Sequence, residues 1–83
     1  MKTISYTAQA DRALAKMPQQ HAEAVEAKIE QYARDPDSLS GKVKALQGTD
    51  ALRLRVGSYR VIINEDMIVL NVLAIGHRKA IYK

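Results

Sequence analysis

The segment Leu52–Ile63, LRLRVGSYRVII, leaves the chain little choice of local structure. Leu52, Leu54 and Val56 alternate with Arg53 and Arg55, and a period of two marks a strand with one apolar face. Gly57-Ser58 then suits a two-residue type II′ turn, because glycine supplies the positive φ needed at the first turn position. Such a turn sets the register. Val56 opposes Tyr59, Arg55 opposes Arg60, Leu54 opposes Val61 and Arg53 opposes Ile62. One face gathers Leu52, Leu54, Val56, Tyr59, Val61 and Ile63, and the other carries Arg53, Arg55 and Arg60 beside Ile62. If the next hairpin keeps register, Val69, Asn71 and Leu73 join the arginine face.

The opposed arginines break a local rule. Like charges directly across a strand pair cost roughly 0.2–1 kcal/mol, and no acidic residue lies near them in the sequence. A rule broken without local compensation marks a candidate functional site. The plain alternative is a charged face that keeps a sheet soluble. Ile62, Val69 and Leu73 suit a binding groove better than a solvated face.

Around the hairpin the pattern is α+β. TISY (Thr3–Tyr6) is a short strand, and Thr7 is placed to cap a helix over Ala8–Met17 whose Ala10, Leu14 and Met17 share a face. Pro18 restarts a second helix that runs to about Arg34, with Val25, Ile29 and Tyr32 as its apolar stripe. Asp35–Asp50 is a connector punctuated by Pro36, Gly41 and Gly48 and tacked down by Leu39, Val43 and Leu46. After the hairpin and a turn near Glu65-Asp66, MIVLNVLAIG (Met67–Gly76) reads as a central strand covered on both faces. The expected order is β-α-α-β-β-β, an antiparallel sheet with an α-hairpin packed on one face, in a single domain over residues 1–83.

Charge divides unevenly along the chain. Residues 1–41 carry five Lys/Arg against six Asp/Glu, whereas residues 42–83 carry eight against three. A basic C-terminal half suits a polyanion, either nucleic acid or an acidic protein. Cysteine is absent and the two histidines are distant in sequence, so no metal or cofactor is expected. No apolar stretch approaches the ~20 residues of a membrane span, and no signal peptide is evident, so the expected location is cytoplasmic. The tail GHRKAIYK adds His77, Arg78, Lys79, Tyr82 and Lys83, where cations could clamp phosphate and an aromatic ring could stack on a base. His21 reads as an ordinary surface residue of the helical hairpin.

ALQG before the strands, LRLRVGSYRVII across the hairpin and IGHRKAIY at the end together resemble the RelE/ParE superfamily of type II toxin–antitoxin toxins. The RelE branch of that family cuts mRNA in the ribosomal A site, and the ParE branch inhibits DNA gyrase. The tail is more similar to the RelE branch. That resemblance implies an mRNA endonuclease in which the RNA's own 2′-hydroxyl attacks the neighbouring phosphate, held in check by a cognate antitoxin. It implies roles for Arg60, Arg78 and Tyr82 in catalysis. Arginine stays protonated, so His77 and Tyr82 are the candidate proton carriers, with histidine the better placed by its ordinary pKa and Tyr82 alternatively a ring that stacks on a base. Arg53, Arg55, Lys79 and Lys83 are expected to contact RNA phosphates. Two departures stand out. Ala51 occupies a position where some RelE-branch members carry lysine, and His77 replaces a post-strand lysine. The other readings are a ParE-like gyrase inhibitor and a weak toxin kept as an antitoxin-binding protein.

Overall fold

The computed structural model describes residues 1–79. Strand β1 (Thr3–Tyr6) leads to helices α1 (Ala8–Lys16) and α2 (Gln19–Arg34), and a 3₁₀ segment (Pro36–Lys42) leads to β2 (Val43–Ala45). Strands β3 (Leu52–Val56), β4 (Tyr59–Glu65) and β5 (Val69–His77) follow. The five strands form one sheet in the order β1-β5-β4-β3-β2. β1 runs parallel to β5, and the remaining pairs are antiparallel. The sheet is therefore mixed rather than wholly antiparallel, and part of the expected connector is a strand.

Local chemistry accounts for the boundaries. The Thr7 hydroxyl accepts the Ala10 N–H at 3.2 Å and so caps α1. Pro18 sits just before α2, where its missing N–H costs nothing. Gly57 has φ 57° and Ser58 is not in the positive-φ region, as a type II′ turn requires. The β3–β4 register is the expected one, with Arg55 opposite Arg60.

One face of the sheet meets the helices. Leu54, Val56, Val61, Ile63, Leu70, Val72 and Ile75 pack there against Ala10, Val25, Ile29, Tyr32, Ala33 and Leu39. Eight of the larger side chains, Ile29 and Leu54 among them, are fully buried. At roughly 1.5–3 kcal/mol for each such side chain, this layer is the main source of stability.

β5 departs from the sequence reading in two ways. It starts at Val69 rather than Met67, because the Asp66 carboxylate accepts the N–H groups of Ile68 and Val69, both at 2.7 Å. Those two bonds hold the Asp66 carboxyl below its ordinary pKa and fold the chain into a turn, leaving Met67 and Ile68 exposed. A bulge shifts the register between Ile62 and Ile63, so Ile62 faces Ala74 and Ile63 faces Val72. Ala74 and Gly76 thus take the places on the arginine face that an unshifted register would give to Leu73 and its alternates. Nor do the described residues cover β5 on both faces, since the helices pack on one side.

Beyond Tyr6, where β1 ends, side chains finish the edge of β5. The Gln9 amide donates to the Ile75 carbonyl at 3.1 Å and accepts the Ile75 N–H at 3.0 Å, in the manner of a strand residue. The Thr7 hydroxyl donates to the Leu73 carbonyl at 2.7 Å. At the opposite end of the sheet Glu65 accepts from Lys2 at 2.8 Å and from the Tyr32 hydroxyl at 3.1 Å, tying β4 to the chain start and to α2.

Two outcomes follow for stability. Gly57→Ala forces a positive φ on an L-residue in open space, so urea unfolding should show a loss of about 1–2 kcal/mol without a change in fold. Burial and the Glu65 carboxylate raise the Tyr32 pKa to about 12, from an ordinary value of 10.0. The folded state thus prefers the neutral phenol. The stabilisation is complete below pH 10 and is lost as pH rises through about 12, a slope that Tyr32→Phe should remove from alkaline unfolding curves.

Candidate nucleic-acid interface

Arg53, Arg55 and Arg60 stand on the sheet face away from the helices, because their strand neighbours Leu54, Val56 and Val61 point into the core. Antiparallel pairing sets Lys44 of β2 directly beside Arg53. These residues, with Lys42 and Gly41 at the end of the 3₁₀ segment, line a small cleft of about 90 Å³. Among the described residues, five cationic side chains share it and no carboxylate lines it. The space admits a phosphate group but not a nucleobase beside it.

Arg60 is held rather than waving. Its Nη1 donates to the carbonyls of Gly57, at 3.0 Å, and Tyr59, at 2.9 Å. The two carbonyl dipoles offset part of the repulsion from Arg55, a compensation no sequence pattern displays. Among the described residues nothing accepts from its Nε and Nη2, and a guanidinium presents such donors to an anion as a planar fork. Opposite Arg60 on β5 stands Gly76, which carries no side chain. Farther along the same face, Asn71 donates to Asn64 at 2.9 Å and the surface becomes neutral.

The other sequence candidates divide. Arg78 lies just past β5, its N–H fastened to the Ser58 carbonyl at 2.8 Å, which keeps it next to the hairpin turn. Lys79 follows and is exposed. Tyr82 and Lys83 lie outside the described residues. His77 is not brought to the arginines. It pairs with Tyr59 across β4 and β5, and both rings lie on the helix side of the sheet, with centroids 6.2 Å apart. The physical reason is strand alternation: Gly76 faces the arginines, so the next residue faces away.

On that helix side His21, read as ordinary surface, bonds through Nδ1 to the Tyr59 hydroxyl at 2.9 Å. His21, Tyr59 and His77 line an open groove of about 350 Å³ floored by Ala24, Val25 and Val56. Sequence reasoning missed His21 because its partner is 38 residues away. It missed Lys42 and Lys44 because they fell in a segment taken for connector. The charge count of the C-terminal half was their only signal.

Residues 2–82 match the family profile described as the ParE toxin of the type II toxin–antitoxin system parDE. The chain belongs to this family of type II toxins. Among solved structures the toxin is similar to one in the archaeal RelE–RelB complex from Pyrococcus horikoshii OT3, with 26% identity, TM-score 0.77 and 95% and 97% of the two chains covered. The intact E. coli RelBE toxin–antitoxin complex matches at 17% identity and TM-score 0.77, over 93% and 96% of the chains. The E. coli DinJ-YafQ complex matches at 13% identity and TM-score 0.80, over the full length of both. No curated protein matches the toxin's sequence. No helix among the described residues is long and apolar enough to cross a membrane.

The opposed arginines make a stability test. Arg55→Thr removes the like-charge contact, keeps a strand-forming residue, and should raise stability by roughly 0.2–1 kcal/mol at low salt. The gain should shrink as salt is added and the repulsion in the native protein is screened, a trend that thermal melts across an ionic-strength series would read.

Proposed function

We propose that the toxin is an mRNA endonuclease acting at the ribosome, with the arginine cleft as its phosphate-handling site and a cognate antitoxin as its inhibitor. The observation that carries this reading is the cleft itself: five cations around a space the size of a phosphate, with no carboxylate lining it among the described residues. Transfer between a 2′-hydroxyl and the adjacent phosphate asks a protein mainly to position the strand and neutralise charge growing on phosphate oxygens. The free donors of Arg60, with Arg55 across from it and Arg53 beside it, supply that.

Arginine cannot accept the proton released by the 2′-hydroxyl, because it remains charged in proteins. His77 faces the other side of the sheet, so within this reading it is not the acceptor. The resemblance of the tail leaves Tyr82 in that place, or as a ring that stacks on a base and keeps the strand in line. Arg78, fastened beside the turn, flanks the same end of the hairpin. An antitoxin covering this face would satisfy the arginines with carboxylates, which accounts for one surface serving both partners.

Arg60→Ala should lower ribosome-dependent cleavage of a defined mRNA by about 10²–10³-fold, the scale of losing a preorganised donor to a developing oxyanion. Its melting curve should stay near that of the wild type, because the side chain lies outside the core. Full cleavage by this variant would remove Arg60 from the chemistry. The matching family is described as a ParE toxin, which favours a second reading, the gyrase inhibition that the resemblance assigns to the ParE branch. Blocked supercoiling in vitro together with intact mRNA in arrested cells would establish that reading instead.

A further inference from the structure

The cleft extends beyond the Arg55–Arg60 pair to β2. Lys44 lies in register with Ile62, two strands across and two residues along from Arg60, so the backbones of Lys44 and Arg60 are about 12 Å apart on ordinary strand spacing. One phosphate gripped by Arg60 and Arg55 occupies the cleft and leaves Lys44 and Lys42, both exposed, on its β2 side, where they can meet a second phosphate beyond it. Position 51 cannot supply a cation there, because Ala51 is only 8% exposed where the chain enters β3. The next strand outward does so instead: Lys44 stands directly opposite Arg53, and the 3₁₀ segment delivers Lys42 beside it.

We propose that Lys44 and Lys42, together with Arg53, form a second phosphate subsite that holds the backbone phosphate next to the reacting one. The ligand class is a single-stranded polynucleotide whose two successive phosphates bridge β2 to β4, its bases lying outside the cleft. This inference rests on the nuclease reading for which phosphate reacts, but the binding it describes is measurable without cleavage. Such a subsite acts by fixing the strand in the ground state and the transition state alike. Its loss therefore belongs in KM rather than kcat. It also sets the direction in which the strand crosses the sheet, from the β2 edge toward the hairpin's second strand.

The test uses the full chain and a 2′-deoxy-substituted, uncleavable single-stranded RNA, with affinity measured across a salt series. Lys44→Gln should reduce the slope of log K against log salt by about 0.7, the value for one phosphate contact on a single strand. Lys44→Arg should restore the slope, because a merely structural lysine would gain nothing from the larger cation. In the ribosomal cleavage assay Lys44→Gln should raise KM and leave kcat near that of the wild type. An unchanged salt slope in Lys44→Gln, or a slope that Lys44→Arg fails to restore, overturns the subsite. Arg60→Ala cleavage, run beside it, decides the nuclease reading independently, so a failure of one is not mistaken for a failure of the other.

Discussion

Everything on the arginine face depends on the register of one hairpin. With side chains alternating strictly, a slip of one residue would carry Leu54, Val56 and Val61 to solvent and drive Arg53, Arg55 and Arg60 into the core. Two constraints prevent it. Gly57 adopts the positive φ that a two-residue turn needs, and Leu54, Val61 and Ile63 are fully buried under the helices. The same register that secures the core also forces Arg55 against Arg60. The repulsion is thus a consequence of the geometry that builds the cleft. The backbone carbonyls of Gly57 and Tyr59 relieve it in part, and a bound anion would relieve the remainder.

The sheet carries different chemistry on its two sides. Cations collect toward β2, β3 and β4, while β5 and β1 present the uncharged Val69, Asn71, Ala74, Gly76, Thr3 and Ser5 to the same surface. Such a gradient orients a polyanion as well as attracting it. On the helix side the hairpin tip holds Tyr59 between His21 and His77. These rings close the end of the core where α2 approaches β4, and they are separated from the cleft by the thickness of the sheet.

Edges are managed by side chains as much as by strands. The short β1 covers only the first half of β5, and Gln9 and Thr7 pair with the backbone that β1 leaves open. An uncovered strand edge invites pairing with another chain, so this substitution protects the interior of the sheet. Glu65 does comparable work at the other end, gathering Lys2 and Tyr32 where β1, α2 and β4 converge.

Short-range patterns in the sequence were sufficient for both helices, for the Thr7 cap, for the turn at Gly57-Ser58 and for the opposition of Arg55 and Arg60. Each of these is settled by residues within a few positions of one another, through periodicity, capping or a required φ. The arginine candidates were legible for the same reason. Tertiary structure decided what depends on distant segments meeting. It made β1 parallel to β5, because the helical segment carries the chain to the far edge of the sheet at β2, and the antiparallel run through β3 and β4 brings β5 back beside β1. It turned Val43–Ala45 into a strand by giving it β3 as a partner, and so delivered Lys44 to the cleft. It placed the bulge that aligns Gly76 with Arg60 and turns His77 to the helix side, where His21 waits. No local signal carries these outcomes, since each depends on a partner strand or helix far away in the chain.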